Sequence, residues 1–245
     1  PLSPRKNANT KTTMKDTMGS IAGTRGSLFL RKGLVTAQVA LSFLLLFGAG
    51  LFVRSLQNLK TTDTGVQLEN LLTFQLSPAL SGYDDNRGQL FYQQLLDRLR
   101  SAPGVKSAAL ASVAILAGDE WDSSMSVEGY KFKDGEDMQA FMNAFSPGYF
   151  ETMNIPLLEG RDFRISDAKR DATVAIVNRR FADHFFPGKS ALGKHIGFGG
   201  GPNVKLNIEI IGVVSNALYE GPREGVRRQV FIPNWGKNSA AFYVR

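Results

Sequence analysis

Two glycine-containing segments have the residue types of nucleotide-binding loops. Gly188-Lys189-Ser190 resembles the end of a phosphate-binding loop, but that motif needs a glycine five residues before Gly188, and position 183 is aspartate. The run 197–202 resembles a dinucleotide-binding loop, but its last residue is proline where the motif has its third glycine. We therefore interpret 197–202 as a hairpin turn and expect no bound nucleotide.

Histidines and clustered carboxylates are the second group of residues that could bind a metal or catalyse a reaction. His184 and His195 stand at no metal spacing from another ligand, so we expect surface histidines, without zinc or acid–base catalysis. Asp119, Glu120 and Asp122 could suggest a glycosidase pair, but adjacent side chains point in different directions, which favours a solvated loop. The sequence therefore predicts neither a metal, a cofactor nor a catalytic residue.

Arg161 and Asp162 are adjacent opposite charges in the segment Glu-Gly-Arg-Asp-Phe. They could form a buried ion pair that fixes a turn, or contact a partner, and we favour the structural role. The chain has no cysteine, which excludes disulfides, thiol catalysis and Cys-ligated zinc.

The net charge of +7 is concentrated at one end of the 245-residue chain. Residues 1–32 hold seven basic side chains and one acidic side chain, so +6 of the charge lies there and +1 in the rest. The remaining residues form no basic surface for a phosphate backbone, and we expect no nucleic-acid partner.

The segment Gly33–Val53 contains 21 residues without a charge. At about 1.5 Å per residue this length matches the roughly 30 Å hydrocarbon core of a bilayer, and predicts a transmembrane helix. A buried core helix would be shorter or amphipathic, and a cleaved signal peptide would have a shorter apolar region. Good helix formers continue the helix as a stalk to about residue 60.

The flanks and small residues of this segment predict its orientation and its contacts. Arg31, Lys32 and Arg54 mark the membrane boundaries, and the upstream basic excess puts the N-terminus in the cytoplasm. Small residues and one polar residue would let another helix pack closely or hydrogen-bond, although small residues are also common in membrane helices generally. These candidate packing residues are Gly33, Ala37, Gln38, Gly48 and Gly50.

The residues after the stalk alternate between strand and helix patterns, which predicts an α+β domain with one or two mixed sheets. Helices are expected after Asp84 or Asp85, with Phe91, Tyr92, Leu95, Leu96 and Leu99 on one face, from Pro147 with Ser146 as its cap, and after Asn178. The predicted strands are 70–77, 105–116, 124–127, 172–177, 207–214, 229–233 and 240–244.

Several segments resemble, in family order, the MacB/FtsX-type ABC transporter permeases, especially the duplicated permeases without a fused ATPase. The resemblance runs from Leu28 to the end. The segments are Leu34 to Leu56, Asp97 to Val105, Ser146 to Met153, Ile155 to Phe163, Val174 to Asn178, Phe186 to Gly188, Leu192 to Lys194 and Ile211 to Val214.

This resemblance implies a two-lobed extracytoplasmic domain of the MacB periplasmic-core type over residues 61–245. A second lobe, around 118–233, would be inserted into the first. The chain would stop before the first lobe is complete and before the further membrane helices of the family. The implied setting is the bacterial inner membrane, with the domain in the periplasm or outside the cell.

The implied function is a permease component for export or mechanotransmission, moved by a separate ABC ATPase. Its expected partners are the lipid bilayer, that ATPase, other permease helices or a second permease copy, and an envelope protein. Two alternatives are a single-pass sensor or ligand-binding protein and an anchored envelope enzyme. The absence of a catalytic constellation disfavours the enzyme.

Overall fold

The computed structural model describes residues 25–61, 65–117, 121–133, 135–168, 172–201, 203–219, 225–233 and 239–245. The described helices are α1 Arg25–Thr61, α2 Asp85–Arg100, α3 Tyr149–Thr152 and α4 Arg179–Phe185. The described strands are β1 Leu72–Leu76, β2 Ala108–Ala111, β3 Trp121–Val127, β4 Gln139–Ala144, β5 Leu157–Gly160, β6 Val174–Asn178, β7 His195–Phe198, β8 Ile208–Val214, β9 Gln229–Ile232 and β10 Ala240–Val244.

The chain divides into two compact units, with the boundary after Thr61. The first contains α1, one helix of 37 residues. Two of its hydroxyl groups bond within the helix, since Thr36 donates to the carbonyl of Lys32 and Ser42 to that of Gln38. Such bonds let polar side chains sit in an apolar helix without unpaired groups.

A small antiparallel sheet in the second unit has the strand order β1-β10-β2. Helix α2 covers one face of it, burying Tyr92 and Leu96 in a cluster with Phe242 of β10. Asp84 caps α2, because its carboxylate accepts the backbone N–H of Arg87 at 2.8 Å. This confirms the predicted helix and decides between its two candidate caps.

The larger sheet closes on itself. Its order is β5-β8-β6-β9-β4-β3-β7, and β7 also pairs with β8, so six strands form a barrel beside which β5 pairs with the far end of β8. One core cluster draws side chains from all six barrel strands and from α4, whose Phe181 and Phe185 are buried. The cluster fills the barrel as side chains fill other small closed barrels.

A second core cluster joins the two sheets. It contains residues from the small sheet, including Tyr243, and from the barrel, including Phe231. Phe145, just after β4, has its ring centroid 3.7 Å from that of Tyr149 in α3 and 4.9 Å from that of Phe231 in β9. The two sheets are therefore packed on one shared core.

The structure confirms the predicted strands 70–77, 172–177, 207–214 and 229–233 within one or two residues at each end, and the predicted strand 240–244 residue for residue. The predicted strand 105–116 is wrong outside 108–111, since the chain turns away at Ser112 and Leu116 has a positive φ of 61°. The helix expected from Pro147 begins at Tyr149, because Gly148 is left-handed at φ 83°. Strands β4, β5 and β7 were not predicted.

Candidate functional site

Helix α1 presents an apolar surface throughout its central part. From Phe29 to Gln57 it is long and apolar enough to cross a membrane, and its large apolar side chains there are exposed. These 29 residues extend about 44 Å, more than the roughly 30 Å hydrocarbon core. The observed helix continues through the predicted stalk without a break.

The structure places the predicted boundary residues Arg31, Lys32 and Arg54 on α1, all of them exposed. The 21 uncharged residues lie between them on the same continuous helix. This spacing lets the basic side chains reach both headgroup layers while the apolar residues fill the hydrocarbon.

The predicted packing residues do not share one face of α1. At about 100° per residue, Gly33, Ala37 and Gly48 fall within roughly 60° of one another, whereas Gln38 and Gly50 lie well outside that arc. A Cβ atom added at Gly33, Gly48 or Gly50 would meet nothing within 4 Å. One partner helix can therefore contact Gly33, Ala37 and Gly48, but not Gly50 as well.

The two histidines are partly exposed, as predicted, and serve in local contacts. The His195 side chain and backbone N–H both bind Glu128 Oε2, while Lys194 binds Oε1 at 3.1 Å. The hydrogen bond from Lys194, followed by those from His195, lowers the pKa of Glu128. His184 lies on α4 near Glu136 and Arg228. Among the described residues, no group of His, Asp or Glu could hold a metal.

The predicted Arg161–Asp162 ion pair is wrong. Arg161 binds the carboxylate of Asp167 at 2.7 Å, and its only hydrogen bond to Asp162 shown by the structure goes to the backbone carbonyl. The Asp162 carboxylate instead accepts the N–H groups of Gly148 and Phe163. Burial raises the pKa of Asp162. The segment does fix a turn, but through backbone groups.

The remaining candidate motifs do not come together as a site. Ser190 donates to Glu159 at 2.7 Å, which ties the loop containing Gly188 to β5. The glycine-rich run begins in β7, and its described residues enter the loop between antiparallel β7 and β8, as a hairpin turn requires. Asp122 is exposed on β3. Asp119, Glu120 and Pro202 lie outside the described residues.

Sequence reasoning missed the polar groups that join the two sheets. Asn143 is fully buried at the end of β4, where its side-chain oxygen accepts the N–H of Val113 at 3.1 Å and its amide donates to the Val113 carbonyl at 3.0 Å. Three residues further on, Ser146 donates its N–H to the Leu110 carbonyl and accepts the Leu110 N–H on its Oγ. We call Asn143 and Ser146, with their partners Val113 and Leu110, the junction clasp.

Two arginines reinforce this junction from the small sheet's side. Arg100, at the end of α2, donates to the carbonyls of Ala108 at 2.9 Å and Pro147 at 2.7 Å. Arg245 donates to the carbonyl of Thr152 at 2.9 Å. Pro147 precedes α3 and Thr152 is its last residue, so both guanidinium groups attach the segment around α3 to the small sheet's side. A buried asparagine or serine between apolar residues was the available sequence signal, since such groups need partners.

A cleft of about 320 Å³ lies on the face of the small sheet opposite α2. Its lining includes Thr73 and Gln75 of β1, Tyr243 of β10, and Ile115 and Leu116 after β2. The Tyr243 hydroxyl accepts the N–H of Ile115 at 2.8 Å, which holds the segment after β2 beside the sheet. The cleft is mostly apolar with a few polar groups.

Comparison with known families gives one model match, described as the MacB-like periplasmic core domain, over residues 33–245. The periplasmic region of MacB from Actinobacillus actinomycetemcomitans is similar at 15% identity, with 74% of this chain and 76% of that chain covered and a TM-score of 0.46. The extracellular domain of the noncanonic ABC-type transporter YknZ from Gram-positive bacteria is similar at 20% identity, covering 62% and 71%, with a TM-score of 0.41. The comparison with curated proteins gives no match.

Proposed function

Because the chain belongs to the family of MacB-like periplasmic core domains, we propose that it is a permease component of an ABC-type export or mechanotransmission system, moved by a separate ATPase. The family and the apolar helix α1 fit an inner-membrane protein with an extracytoplasmic domain. The chain itself would supply no catalysis and would transmit movement.

The observation that carries this proposal is the shared core of the two sheets together with the junction clasp. Phe145, Phe231 and Tyr243 belong to one buried cluster. Asn143 of β4 binds the backbone of Val113, just after β2, and Ser146 binds that of Leu110 in β2. Protein cores are close-packed and transmit displacement with little compression. A force applied to one sheet would therefore reach the other, as a mechanical element requires.

The charge distribution supports the rest of the assignment. The excess of six positive charges before Gly33 favours a cytoplasmic N-terminus and an extracytoplasmic second unit. Gly33, Ala37 and Gly48 offer a surface for another permease helix or a second copy. We call the second unit the outer domain. An envelope protein would be its partner, either in efflux or as a protein that the movement activates.

Co-purification tests this assignment. We expect the tagged protein, extracted from its native membrane in mild detergent, to retain an ATP-hydrolysing ABC subunit identified by mass spectrometry. A variant in which Gly33 and Gly48 are both replaced by leucine should retain less of the permease partners than the native protein does. Recovery of the protein without any ATPase under conditions that preserve other membrane complexes would contradict the proposal.

A second candidate is a single-pass sensor that binds a ligand, which the cleft beside β1 and β10 favours, since its volume is at the lower end of small-molecule sites. This candidate needs no ATPase. A ligand that binds to the outer domain and is lost on Thr73→Leu, in a protein that recovers no ATPase, would favour it.

A further inference from the structure

A loop between β3 and β4 is attached to the barrel by side chains that include a histidine. Its described residues are 128–133 and 135–138. Five side chains form this attachment, which we call the His184 clasp. They are Tyr130, Glu136, Asp137, His184 and Arg228.

Aromatic contacts place the loop against α4. The Tyr130 ring meets Phe185 edge to face, with centroids 5.0 Å apart, and lies 6.0 Å from the His184 ring. Its hydroxyl donates to Glu136 Oε1, and Glu136 Oε2 accepts the N–H of Lys133 at 2.9 Å. Glu136 is thereby fixed with Oε1 3.6 Å from His184 Nε2.

Arg228 connects the same loop to His184. One guanidinium nitrogen donates to Asp137 at 2.7 Å, and another lies 3.1 Å from His184 Nε2. A guanidinium can only donate, so His184 Nε2 accepts this bond and the ring is neutral with its proton on Nδ1. The observed arrangement therefore requires the unprotonated histidine.

We infer that the His184 clasp is a proton-sensitive attachment of the described parts of the loop between β3 and β4. Protonation would turn Nε2 from an acceptor into a donor, which removes the bond from Arg228 and leaves two cations 3.1 Å apart. The nearest anion, Glu136, would draw the imidazolium away from Arg228 while still accepting from Tyr130. Acid would thus break the contact between Arg228 and His184 and loosen the loop, whatever the transport role of the protein.

The charges around His184 decide the sign of the effect. Burial is the largest cause that lowers its pKa, Arg228 and Arg180 lower it further, and Glu136 and Asp137 act in the opposite direction. A pKa below the ordinary histidine value of about 6.5 means that the unfolded state takes up the proton first. The contribution of neutral His184 to stability is therefore present above pH 6.5 and is lost as the pH falls through the lowered pKa.

The full-length protein in detergent micelles allows a direct test, because His184 and His195 are its only histidines. Each imidazole signal can be assigned by NMR from the variants His184→Gln and His195→Gln. We expect His184 to titrate below about 6.5. Amide exchange at 128–133 and 135–138, corrected for intrinsic pH dependence, should rise about tenfold between pH 7.5 and 5 with the same midpoint.

The two glutamine variants are matched controls. Glutamine at 184 can still accept from Arg228 but does not titrate, so exchange in His184→Gln should lose its pH dependence, whereas His195→Gln should keep it. Arg228→Gln removes the nearest positive charge and should raise the titration midpoint of His184. If His184→Gln does not fold, the titration midpoint of His184 in Arg228→Gln still tests the inference.

Three results would overturn the inference. They are unchanged loop exchange while His184 titrates, the same pH dependence in His184→Gln as in the native protein, and a His184 midpoint that does not move in Arg228→Gln.

Discussion

At the scale of single residues, Gly160, the last residue of β5, has a strict steric requirement. Its φ is +77°, and an added Cβ would overlap the Ile211 carbonyl oxygen and lie 2.7 Å from a methyl group of Leu192. Gly188 has a similar φ of +70°, but an added Cβ there would meet nothing within 4 Å. Alanine at Gly188 would therefore cause backbone strain alone, whereas alanine at Gly160 would cause backbone strain and steric overlap.

We predict that Gly160→Ala lowers the free energy of unfolding by about 3 kcal/mol or more, whereas Gly188→Ala costs about 1 kcal/mol from left-handed strain alone. Urea unfolding in detergent micelles, followed by tryptophan fluorescence, measures both. Equal losses in the two variants would show that the contacts around Gly160 can relax.

Asn143 tests the junction clasp. Removing its side chain in Asn143→Ala leaves the N–H and carbonyl of Val113 without their partner, so we predict a loss of about 2–4 kcal/mol. Gln139→Ala, on the exposed end of the same strand, is the control and should change stability by less than about 0.5 kcal/mol. Similar small effects in both variants would mean that the clasp adds little to the junction.

At the scale of elements, the proposed transmission of movement requires that α1 continue through its stalk without a break. We predict that Gln57→Gly with Asn58→Gly, which costs about 1 kcal/mol of helix stability per residue, strongly reduces ATP-dependent activity while protein level stays normal. The double alanine variant at the same positions keeps the helix and should retain activity. Activity is assayed with the co-purified ATPase.

Sequence patterns predicted the elements whose signals are local. Asp84 and Asn178 cap helices as expected, β1 alternates apolar and polar residues, and β10 is apolar throughout. The missed strands have weaker signals: β4 contains the buried polar Asn143, while β5 and β7 have only four residues and each includes a glycine. The Arg161 pairing was missed because its partner Asp167 becomes a neighbour only after the chain turns.

At the scale of the whole second unit, strand pairing between distant segments determines the architecture. The barrel closes because β7 pairs with both β3 and β8, and β4 pairs in parallel with β9 almost ninety residues away. No local periodicity specifies such partners. All strands of the barrel lie between β2 and β10 in the chain, so the small sheet is assembled from segments on both sides of it.

Distance measurement by spin labelling tests the central claim most directly, since the chain has no native cysteine. One label pair would join Arg31→Cys on α1 to Leu80→Cys on the outer domain. The control pair, Leu80→Cys with Lys189→Cys, would join the part of the chain beside the small sheet to the barrel.

The account predicts that, with the co-purified ATPase in a bilayer, ATP shifts the distance between the labels at 31 and 80 and leaves the distance between those at 80 and 189 unchanged. An unchanged 31–80 distance on ATP binding and hydrolysis would contradict transmission of movement to the outer domain. A shift confined to the 80–189 pair would contradict the rigid junction between its two sheets.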